Sequence, residues 1–117
     1  MSLLGCDGFN SNELACDDFK TGSFIYKTSY DGVDYESTVV RSDELEIETF
    51  EGVADTSTVR WVSDCEYIVT HINAKTNADR RPAVMRILRT EGQTFTFEYK
   101  PYVDAPQTVR GTATKLD

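Results

Sequence analysis

What most constrains this chain is a rhythm. Large apolar and aromatic residues fall on every second position through short segments, and turn-forming residues interrupt them every ten residues or so. In residues 93–100, Phe95, Phe97 and Tyr99 alternate with Thr94, Thr96 and Glu98. A strand sends successive side chains to opposite faces, so this period sets one face toward a core and the other toward water. Residues 23–30 repeat the pattern with Phe24, Tyr26, Thr28 and Tyr30, and residues 34–41 with Tyr35, Ser37 and Val39. Around the single Trp, Val59, Trp61 and Ser63, then Cys65, Tyr67 and Val69, share a parity, with Asp64 suited to a turn or bulge between them.

The punctuation is equally specific. Asp31-Gly32 is a strong hairpin signal because both residues tolerate positive φ. Ser42-Asp43, Glu51-Gly52 and Glu91-Gly92 supply further turns. Segments 44–50, 58–63, 65–72, 83–89 and 107–115 complete the set, with Pro82 placed where a strand can begin. In 44–50, Leu45 and Ile47 oppose Glu44, Glu46 and Glu48, which reads as a half-solvated strand with its carboxylates in water. Val109, Gly111 and Ala113 share a face of the last segment, where small residues imply close packing or a bend. Residues 73–81 lack period and large apolar side chains and read as an exposed loop, as do residues 101–106.

The expected fold is therefore all-β: an antiparallel up-and-down meander of seven or eight strands, forming a barrel or a strongly curved sheet. An immunoglobulin-like sandwich is second choice, because tight turns throughout imply pairing between neighbours. The 117 residues suffice for one core. Residues 1–18 are polar and read as an N-terminal tether, with a helical turn near Asn12 to Cys16, leaving residues 19–117 as the single domain. A net charge of −8 excludes a general binder of nucleic acid or anionic membrane, whose affinity comes from Lys and Arg. No apolar run approaches the roughly 20 residues that span a bilayer.

Three cysteines admit two accounts. All can be buried thiols of an intracellular protein. Alternatively, Leu3-Leu4-Gly5-Cys6 looks like the end of a bacterial lipoprotein signal, in which the cysteine is acylated. The basic and apolar regions of such a signal do not precede it here, so the expectation is that they have been trimmed. Cys6 would then be a lipid anchor, the only route to a membrane, on an exported protein of the cell envelope. Cys16 and Cys65 would remain as an even pair in an oxidising compartment. A bridge closing roughly fifty residues would contribute about 4 kcal/mol in the chain-entropy model.

Two motifs, Cys16-Asp17-Asp18-Phe19-Lys20-Thr21-Gly22-Ser23-Phe24 and Trp61-Val62-Ser63-Asp64-Cys65-Glu66-Tyr67, resemble those of small lipocalin-like proteins of Bacteroidetes-type bacteria. The resemblance spans roughly residues 16 to 115 and implies a lipocalin-like barrel in an exported or lipid-anchored protein. Phe24 stands where lipocalins proper carry the Trp of Gly-x-Trp on the first strand. The group has no established activity to carry over.

Residue chemistry points away from catalysis. The single histidine, His71, rules out most triads and multi-histidine metal sites, and it is expected at an exposed strand end. Cys65 and His71 would lie roughly 20 Å apart along an extended strand, too far to act as nucleophile and base. Asp43, Glu44, Glu46, Glu48 and Glu51 match no calcium loop, so neither metal nor cofactor is expected. Arg80, Arg81, Arg86 and Arg89 form a local basic cluster that reads as a solvated edge. Arg86, between Met85 and Ile87, is the one expected to point inward and to need a carboxylate partner.

The inward-facing aromatics Tyr26, Tyr35, Trp61, Tyr67, Phe95, Phe97 and Tyr99 are first of all core. An eight-stranded barrel either fills with such side chains or holds one small ligand, and these seven are the candidate lining for a small apolar one. The two expectations are a binding module and a filled structural domain. No enzyme is expected.

Overall fold

The computed structural model describes residues 14–73, 81–102 and 105–117. Eight antiparallel strands run in chain order around a closed barrel: β1 (Gly22–Tyr30), β2 (Val33–Arg41), β3 (Leu45–Phe50), β4 (Val53–Ser63), β5 (Glu66–His71), β6 (Ala83–Glu91), β7 (Thr94–Lys100) and β8 (Val109–Lys115). Every strand pairs with its sequence neighbours, and β8 closes on β1 from Phe24 opposite Lys115 to Thr28 opposite Gly111. The meander expected from the turns is the fold, and the sandwich is excluded.

Local chemistry explains the corners. Asp31-Gly32 and Glu51-Gly52 each have positive φ at both residues, as two-residue hairpins matching the twist of their strands require. The second turn is tight enough that β4 begins at Val53, earlier than the expected residue 58. Gly111 is demanded by closure. A Cβ there would lie 2.5 Å from the Lys27 carbonyl oxygen and 2.7 Å from the Phe97 ring. The small-residue face of β8 thus lets β1 and Phe97 approach.

A short 3₁₀ helix (Cys16–Phe19) folds across one end of the barrel and closes it. Phe19 is 1 % exposed and packs edge-on against Phe95, with ring centroids 5.0 Å apart. Leu14 and Cys16 also pack on the core, so the barrel incorporates the last part of the expected tether. Residues 1–13, including Cys6 and the first two residues of the expected helical turn, lie outside the described residues, as do residues 74–80 of the expected loop. The helix falls later than expected, beginning only at Cys16. Cys16 and Cys65 form a disulfide that ties the helix to the β4–β5 turn. Asp64 lies in that turn, so the Trp61 to Tyr67 stretch is a hairpin, and the two rings meet at 4.5 Å.

Two expectations about facing are overturned. Leu45 and Ile47 point outward, each 42 % exposed, while Glu46 and Glu48 face the interior. Pairing explains it: directly opposed residues point to the same side, and Arg41 lies opposite Glu46, Val39 opposite Glu48, Val40 opposite Ile47. The inward face of β2 therefore requires Glu46 and Glu48 to face in. The buried arginine is Arg41, not Arg86. Arg86 is exposed and lies 3.9 Å from Glu66 on the outer surface. Of the expected basic cluster, Arg80 lies outside the described residues, Arg89 lies 3.9 Å from Glu91, and Arg81 stacks on Tyr102.

Candidate functional site: a polar floor beneath an open cavity

The barrel interior has two halves, divided by Arg41. The β2 alternation that buries Val39 also buries Arg41, whose side chain is 0 % exposed. Its guanidinium donates from Nε to the Lys20 carbonyl (3.2 Å), from Nη2 to the Phe19 carbonyl (2.7 Å), and from Nη1 to Glu46 Oε1 (2.8 Å) and the hydroxyls of Tyr26 (2.8 Å) and Tyr67 (3.1 Å). The two hydroxyls also hydrogen-bond each other at 3.0 Å. The rings of Phe24 and Tyr67 flank the guanidinium carbon at 4.6 and 4.9 Å. A buried charge is tolerated when it is paired and hydrogen-bonded, and here the charge has a carboxylate partner and each of its three nitrogens donates.

Titration behaviour follows from the burial. Desolvation pushes the Tyr67 hydroxyl well above its ordinary value and raises that of Tyr26, so both remain neutral donors. Burial disfavours the Arg41 charge, but its anionic and hydroxyl neighbours outweigh that effect, and arginine stays charged. Burial also raises Glu46, an effect that the Arg41 charge opposes without cancelling.

Below this floor, toward the helix, Phe19, Phe24 and Phe95 are close-packed, each 1 % exposed or less, while Val39, equally buried, borders the space above it. Above it the barrel opens into a cavity of about 680 Å³. One wall comes from β3, β4 and β5: Glu46, Glu48, Asp55, Ser57 and His71. Ladder pairing sets them side by side, with Glu46 opposite Ser57, Glu48 opposite Asp55 and Ser57 opposite His71. The facing wall is apolar and aromatic, from Tyr26, Met85, Phe97, Tyr99 and Val109. Tyr35 and Phe50 stand at the mouth, ring centroids 6.1 Å apart. Burial raises the Tyr99 hydroxyl, and the charges of Glu48 and Glu46 add to that rise.

Of the seven aromatics expected to line a ligand site, Tyr26, Tyr35, Phe97 and Tyr99 border the cavity. Tyr67 and Phe95 are buried in the packed half, and Trp61 lies against Tyr67 with Lys20 Nζ 5.0 Å from its ring. His71 is exposed as expected, but at the cavity mouth. Cys65 is in the disulfide and has no free thiol. Sequence reasoning missed Arg41, Glu46, Glu48, Asp55 and Ser57. Among the described residues, no group of three or more His, Cys, Asp or Glu side chains is arranged to hold a metal ion, and no helix is long and apolar enough to cross a membrane. No family model matches the sequence, and neither curated proteins nor solved structures provide a match.

Proposed function

We propose that this protein is an exported, lipocalin-like binding domain that holds one small, largely apolar molecule in the open half of its barrel. The observation that carries this reading is the cavity: about 680 Å³, open at one end, floored by a rigid polar network and bordered by aromatic side chains. That volume falls in the range of roughly 300–1,000 Å³ common to small-molecule sites, and such sites characteristically sit in barrel mouths. The disulfide supports an oxidising compartment and with it export. Anchoring through Cys6 rests on the Leu3-Leu4-Gly5-Cys6 motif alone. The reading assigns no catalytic step. A second reading, an interaction domain with no ligand, draws support from the outward Val40, Leu45 and Ile47 on adjoining strands.

Native mass spectrometry on protein from its own host, with uptake of the neutral apolar dye Nile red, separates the two. The binding module retains a small molecule or takes up dye, and Val109→Trp, which fills the mouth, abolishes uptake. A barrel that carries nothing and admits no dye sinks the first reading and leaves the second.

A further inference from the structure

We infer that the molecule held in this cavity is an organic cation, with an apolar or aromatic body and a protonated amine or similar donor-bearing head set against the β3–β4 wall. The inference rests on the small-molecule reading above and names the ligand class.

The charge arrangement is its first support. Glu48 and Asp55 lie directly opposite each other on paired strands and both face the cavity. Like charges in that position destabilise a sheet unless something compensates them. Among the described residues neither carboxylate has a salt-bridge partner. Glu48 accepts a hydrogen bond from the Ser37 hydroxyl at 2.6 Å, which brings no charge. Arg41 is committed to Glu46 within the floor, and Arg81, at the mouth, stacks its guanidinium on Tyr102 at 4.6 Å.

A separate observation points to a missing partner. Ser57 borders the cavity, is 7 % exposed, and its hydroxyl has no hydrogen-bond partner among the described residues. Buried polar groups are nearly always satisfied, and a hydroxyl facing a cavity is satisfied by what enters it. Ser57 adjoins Glu46 on the ladder, so a head group carrying several N–H donors reaches hydroxyl and carboxylates together. The aromatic wall opposite suits the ligand body and favours a cation near its ring faces. A carboxylate or phosphate head would meet the same wall as repulsion, which separates this ligand class from fatty acids.

The test is a matched set of probes titrated calorimetrically at neutral pH and low salt: phenylbutylamine, phenylbutanol and phenylbutanoate. The amine is expected to bind about tenfold or more tighter than the alcohol, with the carboxylate weakest. Added salt should erode the amine's advantage, and Glu48→Gln with Asp55→Asn should reduce it to about twofold or less. Equal binding of amine and alcohol, tighter binding of the carboxylate, or Nile red uptake without amine binding overturns the inference and leaves the small-molecule reading standing. If neither the three probes nor Nile red binds, both fall.

Discussion

At the closed end of the barrel the chain itself supplies partners for the buried Arg41, Tyr26 and Tyr67 side chains; at the open end, those of Asp55 and Ser57 have none among the described residues. Arg41 makes five hydrogen bonds there, one of them also an ion pair, and the Cys16–Cys65 bridge holds the 3₁₀ helix that, with the Lys20 following it, supplies two of its acceptors. Further ties act on the same end: Lys115 Nζ donates to the Asp18 carbonyl at 2.8 Å, and the Ala15 amide to Thr90 Oγ1 at 3.0 Å. A few residues along the same strands, Glu48 and Asp55 face each other uncompensated and Ser57 faces empty volume. Stability is concentrated at one end, where the structure is over-determined. The other end keeps the unsatisfied groups through which a partner can be recognised. Uneven distribution of stability is usual where part of a fold binds and part supports.

The strongest way to break this contrast is to remove Arg41. Arg41→Ala leaves Glu46 buried without its counter-charge, and should cost about 3–5 kcal/mol in urea unfolding. A loss below about 1 kcal/mol would show that the floor network is not the support described here. Next, Cys16→Ser with Cys65→Ser should cost about 4 kcal/mol by the chain-entropy estimate, or less if the reduced chain retains structure. Unfolding of oxidised and reduced protein gives the same difference, while an unchanged midpoint would mean that the helix is held by packing alone. Gly111→Ala comes third. The β1 backbone cannot move away without opening the barrel seam, so about 1–3 kcal/mol should be lost.

The fourth effect is a dependence on pH. Glu46 holds its proton more tightly folded than unfolded, so its contribution to stability is fully present below the unfolded value, near 4.3. It is then lost as pH rises through the raised folded value. Unfolding free energies over mildly acidic pH should show this fall in the wild type and lack it in Glu46→Gln; parallel profiles would place the proton elsewhere. The smallest expected stability effect belongs to the open end. Glu48→Gln should shift unfolding by about 0.5 kcal/mol or less, because its surroundings are solvated. A large loss there would mean that the two ends are not distinct.

Much of this was legible beforehand. Except for β4, which begins at Val53 and not at residue 58, the strand bounds follow the alternating segments closely, since a two-residue period with Gly-containing turns admits few other structures. The missed residues have one cause. Glu44, Glu46 and Glu48 look like a solvated face because carboxylates usually are, and Leu45 and Ile47 look buried for the matching reason. The hairpin contradicts this. With Tyr35, Ser37 and Val39 facing inward, the pairing of Arg41 with Glu46, with four residues between them, obliges the even-numbered residues of β3 to share that face. Propensity argued for one orientation and register for the other, and register won because a ladder cannot rotate single residues.

The sequence by itself determined the alternating segments, their turns and the meander order, since these depend on periodicity and local backbone freedom. It left the cysteines open between free thiols and a Cys16–Cys65 pair, and the disulfide in the structure decides for the pair. Only the tertiary structure decided which interior residues meet. Arg41, Glu46, Tyr26 and Tyr67 come from four strands, and they converge because closing β8 on β1 fixes every strand's stagger at once. Closure also decided where packing stops. The helix fills one end of the barrel, nothing in the described chain fills the other, and the acidic wall and unpartnered serine are left facing open volume.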